Sequence, residues 1–502
     1  TSIADYAEAD ETMQDYAGNV RRLGRLLGER VAANQEGATV VAVVERFRHH
    51  AKKYRDAREA GHEAEAAQTF ESMANEIASL APGTLRDVAR SFAHFLALSN
   101  AAEQEHRVRR LEAHRGDGAP LYPGKTDSCA GTLDYLLDEE HVDMTKIEAA
   151  LASQQLEIVL TAHPTEVNRR TILSKHRRVA ELLAKRPDTQ GYERNEVDRE
   201  LAGVVSALWG SDELRRAKPS PQQEARGGLA VVETSLWEAL PDFLRRLDAT
   251  LKARGGRLPL TSAPVRLASW MGGDRDGNPN VTAPVTRETV AAQRRMAAGL
   301  LLVELDALRT DLSMKQCTAP VTQLAEESGA PSLEKLDAPY KAILDGLVGR
   351  LRATVAWADN ELSSDNALKD FPKESRNSLA SRFGRVAKAD GVKGKAPLFD
   401  ESELLEPLQA MHASLCATGF EDWADGRLVD TIRRVGAFGL QLAPLDVRQE
   451  STRHANAIDA LRAFAGVGEA GSYIAMTDDE KVAYLSQELS TNRPLLRRGQ
   501  LE

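Results

Sequence analysis

The sequence predicts a mainly α-helical protein that carries part of a TIM-type α/β barrel, with an amino-terminal helical region ahead of the first barrel strands. Three observations predict it. Helix-favouring Ala, Leu, Glu and Arg dominate, while aromatic residues make up only 5% of the 502 residues. Apolar residues recur at helical spacing through most of the chain. Among these helices stand three short apolar runs, each followed by a polar cluster and then by a renewed helical pattern. That is how an α/β barrel places side chains at the carboxyl ends of its strands.

In chain order, residues 1–155 read as an amino-terminal helical region. Val20, Leu23, Leu26, Leu27 and Val31 fall on one helical face, and so do Leu85, Val88, Phe92, Phe95 and Leu96 behind the start signal Pro82-Gly83-Thr84. Residues 113–132, rich in Gly, Pro and polar groups, read as an exposed loop. Residues 156–502 read as the first part of the barrel with helical insertions, the rest of the barrel being absent. Its expected strands are Leu156–Ala162, Val265–Met271 and Leu440–Val447, too short for typical helices and containing β-branched residues. Residues 361–397 read as a mobile insertion. No repeat of solenoid period occurs.

Composition narrows the function. A formal charge of −10 gives no general attraction for nucleic acid or anionic membrane, so an anionic substrate needs a local basic pocket. Three dispersed cysteines, Cys129, Cys317 and Cys416, suggest neither a disulfide framework nor a zinc site, and point to the cytoplasm. The start TSIADYAEADETMQD is not a signal peptide, and no run of about 18 apolar residues occurs. The first residue is Thr1, and the last two, Leu501-Glu502, match a common cloning junction. An engineered truncation is expected from these ends.

Each strand end carries candidate chemistry. The first runs into His163-Pro164-Thr165-Glu166 and then a helix through Arg169 and Arg170. Pro164 ends the ladder, which holds His163 at the strand mouth, where an imidazole can exchange protons near neutral pH. A structural histidine, with Arg169 and Arg170 as surface charges, is the plainer reading. The second runs into Gly272-Gly273-Asp274-Arg275-Asp276-Gly277-Asn278, where three glycines permit positive φ and close backbone approach. It lacks the lysine of a phosphate-binding P-loop and the Gly and Glu positions of a calcium loop. The alternative is an ion-paired turn in which Asp274 and Asp276 hold Arg275; either way neighbouring carboxylates orient that guanidinium. The third ends Asp446-Val447-Arg448, where alternation puts Asp446 and Arg448 on one face. Arg448 there either clamps a carboxylate or phosphate or forms a structural pair with Asp446.

Together, LTAHPTEVNRRT at 160–171, SWMGGDRDGNPNVT at 269–282 and FGLQLAPLDVRQESTRH at 438–454 resemble bacterial phosphoenolpyruvate carboxylases, in that family's order. Shorter matches at 95–107, 218–221, 231–237 and 492–496 extend the resemblance over nearly the whole chain. It implies addition of bicarbonate to phosphoenolpyruvate, giving oxaloacetate and phosphate with Mg²⁺ or Mn²⁺. His163 and Arg448 would be catalytic: His163 the base that deprotonates carboxyphosphate, Arg448 the holder of substrate phosphate. Arg275, Asp274, Asp276, Asn278, Arg169 and Arg170 would line the site.

Family members continue well beyond this chain. That further part holds the acidic metal ligands, the remaining barrel strands and more substrate arginines, so no metal ligand is expected here. The chain alone is expected to be inactive, and the full enzyme to be a homotetramer with no nucleic-acid or membrane partner. A non-catalytic helical module that acts by binding is the alternative.

Overall fold

A computed structural model of the chain describes residues 11–34, 37–113, 128–161, 170–213, 219–276, 278–328, 338–362 and 395–491. The described residues are mainly helical and fall into two compact units. Unit 1 comprises 1–135 with 164–218; unit 2 comprises 136–163 with 219–502.

Unit 1 is built from α1 (Glu11–Ala32), α2 (Gly37–Glu59), α3 (Glu63–Ser79), α4 (Pro82–Ala113) and the short α5 (Cys129–Asp134). The expected apolar face of α1 is its buried face: Leu23, Leu27 and Val31 are buried, with Val20 and Leu26 packed at the margin. On α4, Val88 is buried and Phe92 and Phe95 partly so, whereas Leu96 is exposed. The loop expected over 113–132 lies mostly outside the described residues. Its last part is helical, because Ser128 caps α5 by accepting the Gly131 N–H at 3.1 Å.

After β1, described below, the chain returns to unit 1 with α7 (Arg170–Lys185) and α8 (Gly191–Trp209). These complete a core of Leu98, Val179, Leu182, Leu201, Val205 and Leu208. Within it, His94 is 3% exposed and lies 2.8 Å from Glu213, while the Nε2 of His176 is buried with no hydrogen-bond partner among the described residues. Burial is the largest effect on both imidazoles and pushes them below their ordinary value. Glu213 opposes the shift in both; Arg90 adds to it at His94, and His94 adds to it at His176.

Both histidines are therefore neutral when folded at pH values where the unfolded chain already binds protons. Their contribution is present above the unfolded pKa of about 6.5 and is lost as pH falls through the window below it, at up to about 1.4 kcal/mol per pH unit for each. Urea unfolding followed through Trp209 is expected to show this decline as pH falls below about 6.5. A His94→Gln, His176→Gln double variant should flatten it. An unchanged slope would exclude the two histidines as its source.

Unit 2 begins with α6 (Met144–Ser153) and β1 (Leu156–Leu160). It continues with α9 (Pro221–Val231), α10 (Trp237–Lys252) and β2 (Val265–Ser269). Ser220 and Gln223 form a reciprocal capping box in front of α9, with Pro221 at its first turn. The longer helices that follow are α11 (Ala283–Asp311), α12 (Ala319–Glu327), α13 (Pro339–Leu362), α14 (Ser402–Ala417), α15 (Val429–Phe438), α16 (Ser451–Phe464) and α17 (Asp478–Leu489). Leu301, Leu305 and Leu308 of α11 share the largest core with Ile343, Leu344 and Leu351 of α13. Tyr340, fully buried, keeps its hydroxyl satisfied by Ser414 at 2.8 Å and the Gln316 carbonyl at 3.1 Å.

β1 and β2 pair in parallel, Leu156 opposite Val265 through Leu160 opposite Ser269. Two of the expected strands are thus present: β1 as far as Leu160, with Ala162 outside the described residues, and β2 slightly shorter than expected, since Trp270 and Met271 have already entered a turn. The third differs. Leu440–Ala443 is turn and bend with Leu442 at φ 62°, and pairing begins only beyond it, where Leu445 and Arg448 form isolated parallel bridges to Ser269 and Asp274. The apolar run is explained by burial rather than by pairing: Leu440, Leu442 and Ala443 pack into the helical core. The insertion expected over 361–397 lies largely outside the described residues. Among those described, no helix is long and apolar enough to cross a membrane.

Candidate functional site

The described candidate residues of unit 2 gather where β2 ends. The chain turns at Trp270–Gly273, with the N–H groups of Gly273 and Asp274 both donating to the Trp270 carbonyl at 3.0 Å. It then runs beside residues 444–448. Ser269 N–H donates to Pro444 O at 2.9 Å, and Asp446 N–H to Ser269 O at 2.8 Å. Further on, Arg448 N–H donates to Gly273 O at 3.1 Å, and Arg275 N–H to Arg448 O at 2.9 Å. The bridges join 269 to 445 and 274 to 448, so the β2 side carries two more residues between them than its partner. The glycine turn absorbs that excess.

Both described glycines are required by their surroundings. Gly272 has φ 85°, and a Cβ on it would lie 2.3 Å from the Thr289 hydroxyl. A Cβ on Gly273 would lie 2.2 Å from the Asp446 carbonyl oxygen. The first strains an L-residue, and the second forbids a side chain where two backbones meet. Helix α9 supplies space of the same kind, since a Cβ on Gly228 would lie 1.9 Å from the Met271 methyl.

This backbone sets the side chains. Arg448 Nη1 lies 3.5 Å from Asp274 Oδ2, and its guanidinium carbon sits 5.2 Å from the Trp270 ring centre. The Arg448 side chain is 53% exposed, against 16% for Asp274. Among the described residues no group hydrogen-bonds the Arg448 head, so its N–H groups face solvent. Asp274 also closes a small turn by accepting the Asp276 N–H at 3.2 Å, and Asn278 does the same for Asn280 at 3.1 Å. Asp276 is exposed.

Two expectations change. Arg275 is not held by the flanking aspartates, and among the described residues no carboxylate pairs with it. Its Nη2 donates to the Thr286 hydroxyl at 3.2 Å, which in turn donates to Gly272 O at 2.9 Å, while its Nε is buried with no partner among the described residues. Asp446 is exposed, and the Arg448 carboxylate partner is Asp274 instead. The reason is the turn: it brings Asp274 directly opposite Arg448 across the backbone pairing.

His163 and Arg169 lie outside the described residues. Arg170 is the first residue of α7, in the other unit, and its side chain is not described. Sequence reasoning missed Trp270 as the shelf under Arg448 and Thr286 as the anchor of Arg275. Their one signal was position, Trp270 at the last step of the strand and Thr286 in the first turn of the next helix. No group of three His, Cys, Asp or Glu side chains able to hold a metal ion occurs among the described residues.

Comparison with known proteins agrees with these motifs. The family model described as phosphoenolpyruvate carboxylase matches residues 17–500. Among similar proteins are the phosphoenolpyruvate carboxylases of Enterobacter sp. (strain 638), 38% identical over 96% of this chain, and of Ectopseudomonas mendocina (strain ymp), 39% identical over 98%. That of Hahella chejuensis (strain KCTC 2396) is 40% identical over 95%. These alignments cover 49%, 50% and 49% of the relatives, so the chain spans about half the length of the curated relatives it matches. The chain belongs to the phosphoenolpyruvate carboxylase family.

Proposed function

We propose that this chain is the amino-terminal part of an enzyme that joins phosphoenolpyruvate and bicarbonate to give oxaloacetate and phosphate, an anaplerotic reaction in the cytoplasm. The observation that carries this reading is the backbone pairing at the end of β2, which brings the GGDRD and LDVRQ segments together and leaves the Arg448 head open to solvent. A guanidinium so placed can take a phosphate or carboxylate through two parallel N–H donors.

Arg448 holds the phosphate that leaves phosphoenolpyruvate for bicarbonate, and His163, which follows β1 in the sequence, accepts the proton of the resulting carboxyphosphate. Loss of that proton releases CO₂ and phosphate, and the enolate of pyruvate attacks CO₂ to form the new carbon–carbon bond. Arg275, whose Nε has no partner among the described residues, together with Asp274, Asp276 and Asn278, lines and shapes the site. The family's Mg²⁺ or Mn²⁺ stabilises phosphoryl and enolate charge when bound. The described residues do not fit it as a ligand set, so we place its ligands in the further length of the relatives.

The remaining length also supplies the rest of a TIM-type barrel, of which residues 156 onward give the first part. Leu156, Ile158 and Val159 support this: among the described residues β1 is paired along one side only, and these side chains are exposed, a state that invites further pairing. The completed enzyme is a homotetramer.

The purified chain, given phosphoenolpyruvate, bicarbonate and Mg²⁺ with malate dehydrogenase as reporter, is expected to form no oxaloacetate. Supplied with the carboxyl-terminal half of one of its relatives, it should do so in a bicarbonate-dependent manner. Turnover by the chain alone would sink the division of the site between two halves.

A further inference from the structure

We propose that a cavity of about 380 Å³ in unit 2, with Arg433 at its wall, binds a small organic oxyanion, carboxylate or phosphate. Its charged lining comes from Arg245, Asp248 and Lys252 of α10, Arg257 before β2, His412 of α14, Asp425 and Arg433. It lies on the stretch of chain leading into β2, whereas the site proposed above lies at that strand's carboxyl end.

The argument starts from Arg433. Its side chain is 4% exposed, its Nε is buried without a partner, and it makes no hydrogen bond among the described residues. The nearest carboxylate oxygen, Asp248 Oδ2, is 3.7 Å away. Asp248 is already engaged, accepting the Leu258 N–H at 2.8 Å and lying 3.0 Å from Lys252. The neighbouring Arg434 shows what a satisfied buried arginine looks like here. It donates to the Trp237 carbonyl at 3.0 Å and to Glu238 at 2.7 Å, and it lies 3.1 Å from Glu304. A buried guanidinium with no acceptor is costly, and the acceptor it lacks belongs in the cavity it faces.

The rest of the lining favours an anion. Asp425 must serve three donors, with Lys252 at 3.4 Å, Arg257 at 3.3 Å and His412 at 3.3 Å. Four permanent cations therefore face two carboxylates across the cavity. Asp430 on Arg245 and Glu421, 3.9 Å from Arg257, lie outside the lining. They balance the charge without supplying Arg433 a hydrogen bond. Leu258, Pro259 and Val429 add an apolar wall, which suits an organic body behind a charged head. Burial, the largest effect on Arg433, pushes its pKa below the ordinary value against the opposing pull of the nearby aspartates. That is the signature of a cation short of partners.

Titration calorimetry of the purified chain in chloride buffer tests this, with sodium phosphate and sodium succinate as separate probes. At least one is expected to bind saturably, and Arg433→Lys and Lys252→Gln should each weaken it roughly tenfold, the scale of one charge-assisted hydrogen bond. Lys252 is 40% exposed, so its variant keeps the test open if Arg433→Lys fails to fold. Phosphate alone binding identifies a phosphate head, succinate alone a carboxylate head, and both a general oxyanion site. No saturable binding by either up to about 10 mM overturns the proposal and leaves water in the cavity. So does binding lost in Arg448→Gln but kept in both cavity variants, which would place the anion at the other site.

Discussion

Replacing Gly273 with alanine is expected to destabilise unit 2 by about 3 kcal/mol, at the upper end of what overpacking one methyl group costs. The obstacle is backbone, not side chain: the new Cβ would sit 2.2 Å from the Asp446 carbonyl oxygen, and no rotamer can relieve that. The 444–448 segment must retreat, which breaks the Arg448 N–H to Gly273 O and Arg275 N–H to Arg448 O bonds together. Gly227 is the matched control. It lies exposed in α9 of the same unit, and a Cβ added there would meet no atom within 4 Å, so Gly227→Ala should stabilise by up to about 1 kcal/mol through helix propensity. Urea unfolding can be followed by fluorescence, since Trp237, Trp270, Trp357 and Trp423 all lie in unit 2. Equal effects at the two glycines would show that the 273 contact is not what closes the turn.

That contrast also marks how far the sequence could be read. Two glycines after a short apolar run announced a tight turn at a strand end, and β1 and β2 stand where their β-branched residues put them. The partner of the turn was not legible. A local pattern of alternating charge suggested that Asp274 and Asp276 would grip Arg275, but a parallel pairing with residues far along the chain gave Asp274 to Arg448 instead. Leu440–Val447 misled for a related reason. Its apolar residues are demanded by helix packing, and Pro444 and the positive φ of Leu442 keep most of it out of a ladder. The pair Arg433-Arg434 shows the limit most clearly. Adjacent in sequence and equally buried, they point to different surroundings because one residue turns a helix by about 100°. One meets carbonyl and carboxylate oxygens, the other a cavity.

Arg448→Ala, made in the chain completed to the length of its relatives, is expected to lower kcat/KM for phosphoenolpyruvate by about 10²–10³-fold. Stability should hardly move. The Arg448–Asp274 pair is half-exposed at 3.5 Å and is worth under about 1 kcal/mol, with a similar contribution from the Trp270 face. The two contacts orient the guanidinium without using up its N–H donors, which is what a residue awaiting a phosphate requires. Arg448→Lys separates charge from geometry: an ammonium keeps the attraction and loses the parallel pair of donors, so it should recover only part of the rate. Asp274→Asn tests orientation alone. It should cost less than either change at Arg448 and leave the shape of the pH profile unaltered, because the proton step is assigned to His163. If Arg448→Ala kept its activity within about threefold of the parent, or lost it only in proportion to its melting temperature, Arg448 would be a structural residue and the substrate phosphate would have to be held elsewhere.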